Sequence, residues 1–209
     1  MGLTYLRGNL ILESKMKSRH QMIREKRKRQ RLTSRLLWGA LGLVVLAGIG
    51  FLLWLAFRPS AGESVPIMAD TEHIEEGQQP GPYNSDPPTS GPHYASDLRA
   101  GFYEQSDLSS FPENPEGYLV HNLEHGYVIF WYNCALLTEQ ECSDFKDQIR
   151  TVMNDFNEVK VIAFPWETID VPVVMTSWGK MQRMEEFDAQ LAARFIERNR
   201  NRSPEPNAP

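Results

Sequence analysis

Positive charge is scarce over most of this chain, and its scarcity excludes one large class of partner. From Arg58 to Pro209 there are 11 Lys and Arg against 25 Asp and Glu, a net of −14. Nucleic-acid binding rests on clustered Lys and Arg that neutralise phosphates, so no nucleic acid is expected as a partner. Glycine-rich signatures are missing as well. Nothing spells a phosphate-cradling loop or a dinucleotide fingerprint, which removes the nucleotide chemistry those patterns carry. No nucleophile elbow surrounds any serine. Cysteine is nearly absent, and Cys134 and Cys142, eight residues apart, match no specific thiol motif.

Charge vanishes altogether from Leu36 to Phe57, LLWGALGLVVLAGIGFLLWLAF. At 1.5 Å per residue this run spans a hydrocarbon core of roughly 30 Å as a helix. The run exceeds the apolar core of a signal peptide, and no small-x-small cleavage site precedes Arg58-Pro59. Trp38 and Trp54 sit near its ends, where interfacial anchors belong. Residues 1–35 hold the other 11 Lys and Arg against Glu13 and Glu25, a net of +9. Basic flanks stay cytoplasmic, so the rest of the chain is expected outside the cytoplasm, with the lipid bilayer as first partner. The organisation expected is a basic cytoplasmic segment (1–35), a transmembrane helix (36–57), a linker (58–82), an extracytoplasmic domain (83–198) and a disordered tail (199–209).

Within the outer domain, Tyr127 to Tyr132 is dense in β-branched and aromatic residues and predicts a strand. Thr138, with Glu141 three residues on, is a capping-box start for a helix to Phe156, with Phe145, Ile149, Val152, Met153 and Phe156 at helical spacing. Val159 to Phe164 and Pro172 to Trp178 are two further short strands. Phe187 to Arg198 reads as an amphipathic helix. The order strand, helix, strand, strand, helix predicts an α+β fold, a small mixed-sheet sandwich with helices on one face. A long, ordered, proline-rich loop, Tyr83 to Pro115, precedes it, and ordered loops of that length are usually functional. In a non-cytoplasmic compartment Cys134 and Cys142 are expected to form a disulfide, with two free or metal-binding thiols as the alternative.

Two patches carry side chains capable of chemistry. In YNSDPPTSGPHY (83–94), Pro87, Pro88 and Pro92 stiffen the chain and Gly91 permits a tight turn, so His93 is held. In HNLEHG (121–126) the letters spell H-x-x-E-H, the pattern of one class of zinc peptidases. That pattern needs a sustained helix, and Gly126 with the β-prone run behind it argues against one. On a strand, positions 121, 123 and 125 share a face, which would aim His121 and His125 at one ligand. Four histidines, His73, His93, His121 and His125, precede or enter the first strand, and none follows. With Met175 on the third strand they are a ligand set for copper, with zinc as the alternative, since thioethers suit Cu(I) and imidazoles suit both metals. Glu124 or Asp86 would supply an oxygen or orient an imidazole. Against this stands a structural polar cluster with Met175 as plain core, and a Ser/His enzyme in which Ser90 or Thr89 is served by His93 or His121 and oriented by Glu124. Tyr83, at the head of the loop, belongs with Glu124 and Ser90 as a supporting group.

YNSDPPTSGPHY, then LVHNLEHGYVIFWY, then VVMTSWGK resemble the prokaryotic family of domain of unknown function 3105, DUF3105, over roughly His73 to Phe195. The resemblance implies an N-terminal anchor and an extracytoplasmic domain of unassigned activity. One departure is Ser177 before Trp178-Gly179, where the family pattern often has alanine. The expectation is a membrane-anchored module that binds a transition metal, copper first, through clustered histidines, for carriage or delivery to a membrane partner. A metal-free docking module of a membrane complex and the Ser/His hydrolase are its alternatives.

Overall fold

The computed structural model describes residues 24, 26–27, 34–54 and 61–207. Most of the basic leader, the last residues of the expected span, the start of the linker and residues 208–209 lie outside the described residues. The chain divides into two units, Met1–Arg58 and Pro59–Pro209. In the first, helix α1 (Ser34–Trp54) is long and apolar enough to cross a membrane.

The second unit is α+β. Its mixed six-stranded sheet has the order β1-β8-β7-β5-β6-β4. The strands are β1 (Glu63–Ser64), β4 (Gly101–Phe102), β5 (Val128–Tyr132), β6 (Val161–Pro165), β7 (Val173–Ser177) and β8 (Lys180–Met184). A two-stranded ladder, β2 (His73–Ile74) with β3 (His93–Tyr94), stands apart from it. β5 and β6 are parallel and joined through helix α3 (Glu139–Asp155), as a parallel pair requires a crossover. Thr138 caps α3 with the full capping box to Glu141. Helix α4 (Ala189–Asn199) starts at Asp188, whose side chain accepts from the backbone N–H groups of Gln190 and Leu191.

All five residues of β5 are buried, so both sheet faces are covered, where the sequence predicted helices on one. Val128, Phe130 and Tyr132 pack with Met175, α3 and α4. Ile129 and Trp131 point the other way, onto Leu119, Val120 and Leu123 of helix α2 (Pro115–Glu124). This helix replaces the strand expected through His121. Pro115 opens it at the first turn, where a missing N–H costs nothing. Burial of Leu119, Val120 and Leu123 at helical spacing holds it against the β-leaning Tyr118 and Val120.

Two segments expected to lie outside the core are ordered. In the linker, Glu63 and Ser64 pair with Met181 and Lys180, and His73 pairs with His93. In the tail, the Asn201 N–H donates to the Gly126 carbonyl (2.9 Å) and the Glu205 N–H to the Glu124 carbonyl (3.1 Å). Lys160 Nζ donates to the carbonyls of His125 (2.8 Å) and Pro206 (2.9 Å). Composition suggested disorder, but these backbone bonds dock the tail on the end of α2. Cys134 and Cys142 are disulfide-bonded, with Cα atoms 5.4 Å apart.

Candidate metal centre

Three segments of chain deliver the site. The β2–β3 ladder is parallel with His73 opposite His93, and directly paired residues project to the same face. Their rings meet edge-on at 4.8 Å between centroids. From α2 come His121 and Glu124, three apart and therefore neighbours on one helix face. Asn122, fully buried between them, locks the two halves together. Its side chain accepts from the Leu98 N–H (3.0 Å) and donates to the Leu98 carbonyl (2.8 Å), fastening the chain after β3 to the helix.

The donor atoms converge. One nitrogen each from His73, His93 and His121 and one oxygen of Glu124 all lie within 4.8 Å of one another. Glu124 Oε2 is 2.8 Å from His93 Nε2, 3.5 Å from His73 Nε2 and 3.9 Å from His121 Nδ1. His73 Nε2 and His121 Nδ1 are 3.2 Å apart. Donors about 2.0–2.1 Å from a tetrahedral ion stand roughly 3.3 Å from each other, so these four need only small adjustments to share one ion. His93 is fully buried, whereas the His73 side chain is 47% exposed. The cluster therefore opens to solvent on the His73 side, and Trp178 closes it beside His93, 6.4 Å between ring centroids.

The hydrogen bonds of His93 are informative about what belongs in the cluster. Its Nδ1 lies 2.8 Å from the Gly91 carbonyl, which can only accept, so Nδ1 carries the proton. Its Nε2 then presents a lone pair to the Glu124 carboxylate, which is also an acceptor. Two acceptors do not face each other at 2.8 Å unless a second proton or a metal cation lies between them. The bond from Nδ1–H to a backbone carbonyl is the usual outer contact of a metal-ligating imidazole. Gly91, at φ +133°, makes it possible, because a Cβ there would come within 2.8 Å of the Tyr83 ring and the Met68 sulfur. Burial, followed by the neighbouring His125, His93 and His73, lowers the His121 pKa to about 4, so the ring is neutral at neutral pH, as a ligating imidazole must be.

The remaining candidates are placed elsewhere. Met175 is fully buried among α3 and α4 on the opposite face of the sheet and is not brought to the histidines. Asp86 accepts from Trp166 Nε1 (2.8 Å). Ser90 is buried, and its hydroxyl accepts from the Met68 N–H (3.1 Å), while both nitrogens of His93 are engaged by Gly91 and Glu124. Tyr83 donates its hydroxyl proton to the Pro92 carbonyl (3.0 Å), bracing the turn beneath His93. His125 follows α2, one turn beyond His121, and its Nε2 is 3.7 Å from Glu205 Oε2. The first four positions of H-x-x-E-H are thus helical after all, but α2 ends at Glu124 and His125 lies beyond it, so the sustained helix that the peptidase pattern needs stops short of its second histidine. What distinguishes the motif is that Glu124 stands among three imidazoles from three segments.

Residues 73–209 match the family described as "Protein of unknown function (DUF3105)". The chain belongs to the DUF3105 family. The matched span begins at His73 and contains every member of the cluster. No curated protein and no solved structure matches the chain.

Proposed function

We propose that this chain is a membrane-tethered metal-binding protein that holds one divalent transition metal ion outside the cytoplasm, on His73, His93, His121 and Glu124. The observation that carries the reading is the convergence of three imidazoles and a carboxylate, from segments far apart in sequence, onto a space the size of one ion.

Four protein donors complete a tetrahedral shell and leave no open position for a reacting water, which is the pattern of holding rather than hydrolysis. The half-exposed His73 is then the gate by which the ion is received and given up. Imidazoles with a carboxylate suit Zn(II) and Cu(II); the case for Cu(I) leaned on a thioether, and Met175 is on the wrong face. We place zinc first and copper second. The basic leader and the disulfide support an extracytoplasmic domain.

The test is metal content, by mass spectrometry, of the full chain purified in detergent and offered Zn(II) or Cu(II) in turn, beside His93→Ala. We expect bound metal in the native chain and at least a tenfold weaker affinity in the variant, with the circular dichroism spectrum retained. A native chain that is folded and takes up neither metal would overturn the proposal and favour the docking-module reading.

A further inference from the structure

A second group of donors adjoins the first. One atom each from Glu124, His125 and Glu205 lie within 4.8 Å of one another. An independent sign accompanies the grouping: His125 is only 9% exposed, yet its Nδ1 is fully buried with no hydrogen-bond partner among the described residues. A buried imidazole nitrogen without a partner carries a desolvation cost, which a cation held on that nitrogen would relieve, while Nε2 of the same ring faces Glu205 Oε2 at 3.7 Å. The His121 and His125 rings lie 4.2 Å apart between centroids, so the two groups are nearest neighbours. They share one residue, Glu124, and a carboxylate has two oxygens to give.

We infer that the site is dinuclear, resting on the metal reading above: a second divalent ion is held by His125 and Glu205, with Glu124 bridging it to the first. Carboxylate-bridged pairs stand roughly 3.5–4 Å apart, a spacing compatible with two groups that meet at one side chain. The tail is what completes the second position. Glu205 reaches it because its own N–H is bonded to the Glu124 carbonyl and because Lys160 Nζ joins the carbonyls of His125 and Pro206. With Glu205 exposed at its side chain, the second ion is the more exchangeable of the two. The ligand class is a divalent transition metal, and the tail acts as the removable part of its shell.

Stoichiometry decides it. The full chain in detergent is titrated with Zn(II) and counted by native mass spectrometry, and the titration is repeated with Co(II) followed by visible absorption. Two ions in the native chain, one in Glu205→Gln and one in His125→Ala, with a second Co(II) band lost from both variants, is the expected result. Glu205 lies on the surface, so the Gln variant folds even where the His125 variant does not. One ion in the native chain and one in Glu205→Gln would overturn the second position while leaving the first intact. No ion in either would remove both.

Discussion

At the scale of single residues, the cluster is built on a conflict that either a second proton or a metal cation resolves. Glu124→Gln tests this, because it keeps the shape and removes the charge. The amide can donate to His93 Nε2, so the metal-free protein keeps the bond without needing a second proton and its urea midpoint holds or rises. Affinity for Zn(II), measured by chelator competition, should fall at least tenfold, as a charged ligand oxygen becomes a neutral one. Unchanged affinity would mean that Glu124 neither ligates the ion nor orients a ligand. Asn122 works differently. Its side chain is buried and makes two half-buried bonds to Leu98, and Asn122→Ala leaves both backbone groups without that partner. A loss of about 2–3 kcal/mol in urea unfolding is expected. A loss below about 0.5 kcal/mol would show that water replaces the clamp.

At the scale of elements, the sequence was readable where a local pattern and its burial agree. The capping box at Thr138, the spacing of Phe145, Ile149 and Val152, and the β-branched run of β5 all led to the elements observed. It failed at α2, because Tyr118, Val120 and the glycines at 117 and 126 weigh locally against a helix that only packing on Ile129 and Trp131 sustains. β8 went unread because Lys180, Gln182 and Arg183 carry no strand preference, and its place is set by pairing with β7. Among the site residues, HNLEHG and His93 stood out as chemistry, but the pairing of His73 with His93 is a contact across twenty residues that no local signal carries. Glu205, in a stretch of Pro and Asn, gave no sign at all. The disulfide follows β5 at the end away from His125, joining Cys134 to the first turn of α3. Replacing both cysteines with alanine should therefore cost about 2–3 kcal/mol through loop closure and leave metal content unchanged. Loss of the metal at full folding would show that the two ends of the strand are coupled.

For the whole molecule, charge is divided in sequence by the apolar helix. The leader carries a net +9 and the chain after the span a net −14, with α1 between them. Positive flanks resist translocation, which would leave the leader in the cytoplasm and the metal cluster outside. An acidic domain in that position also raises the local concentration of cations at its surface, an effect that salt would screen within about 10 Å at 0.1 M. Both consequences can be read in one preparation of intact spheroplasts. Added protease should destroy an epitope placed after Asn207 while sparing one placed at the N-terminus, and metal added outside should reach the cluster without permeabilisation. The leader supplies the internal control. Changing Arg24, Lys26, Arg27, Lys28, Arg29 and Arg31 to glutamine removes most of the topogenic charge near the span, so a fraction of the chains should invert and protect the C-terminal epitope. If the native chain instead shields its C-terminal domain from protease, the cluster faces the cytoplasm, and the disulfide would then have to persist in a reducing compartment. A protected domain with its cysteines reduced would reverse the topology proposed here; an accessible domain with the disulfide intact places metal binding on the outer surface, where the ion is acquired or handed on.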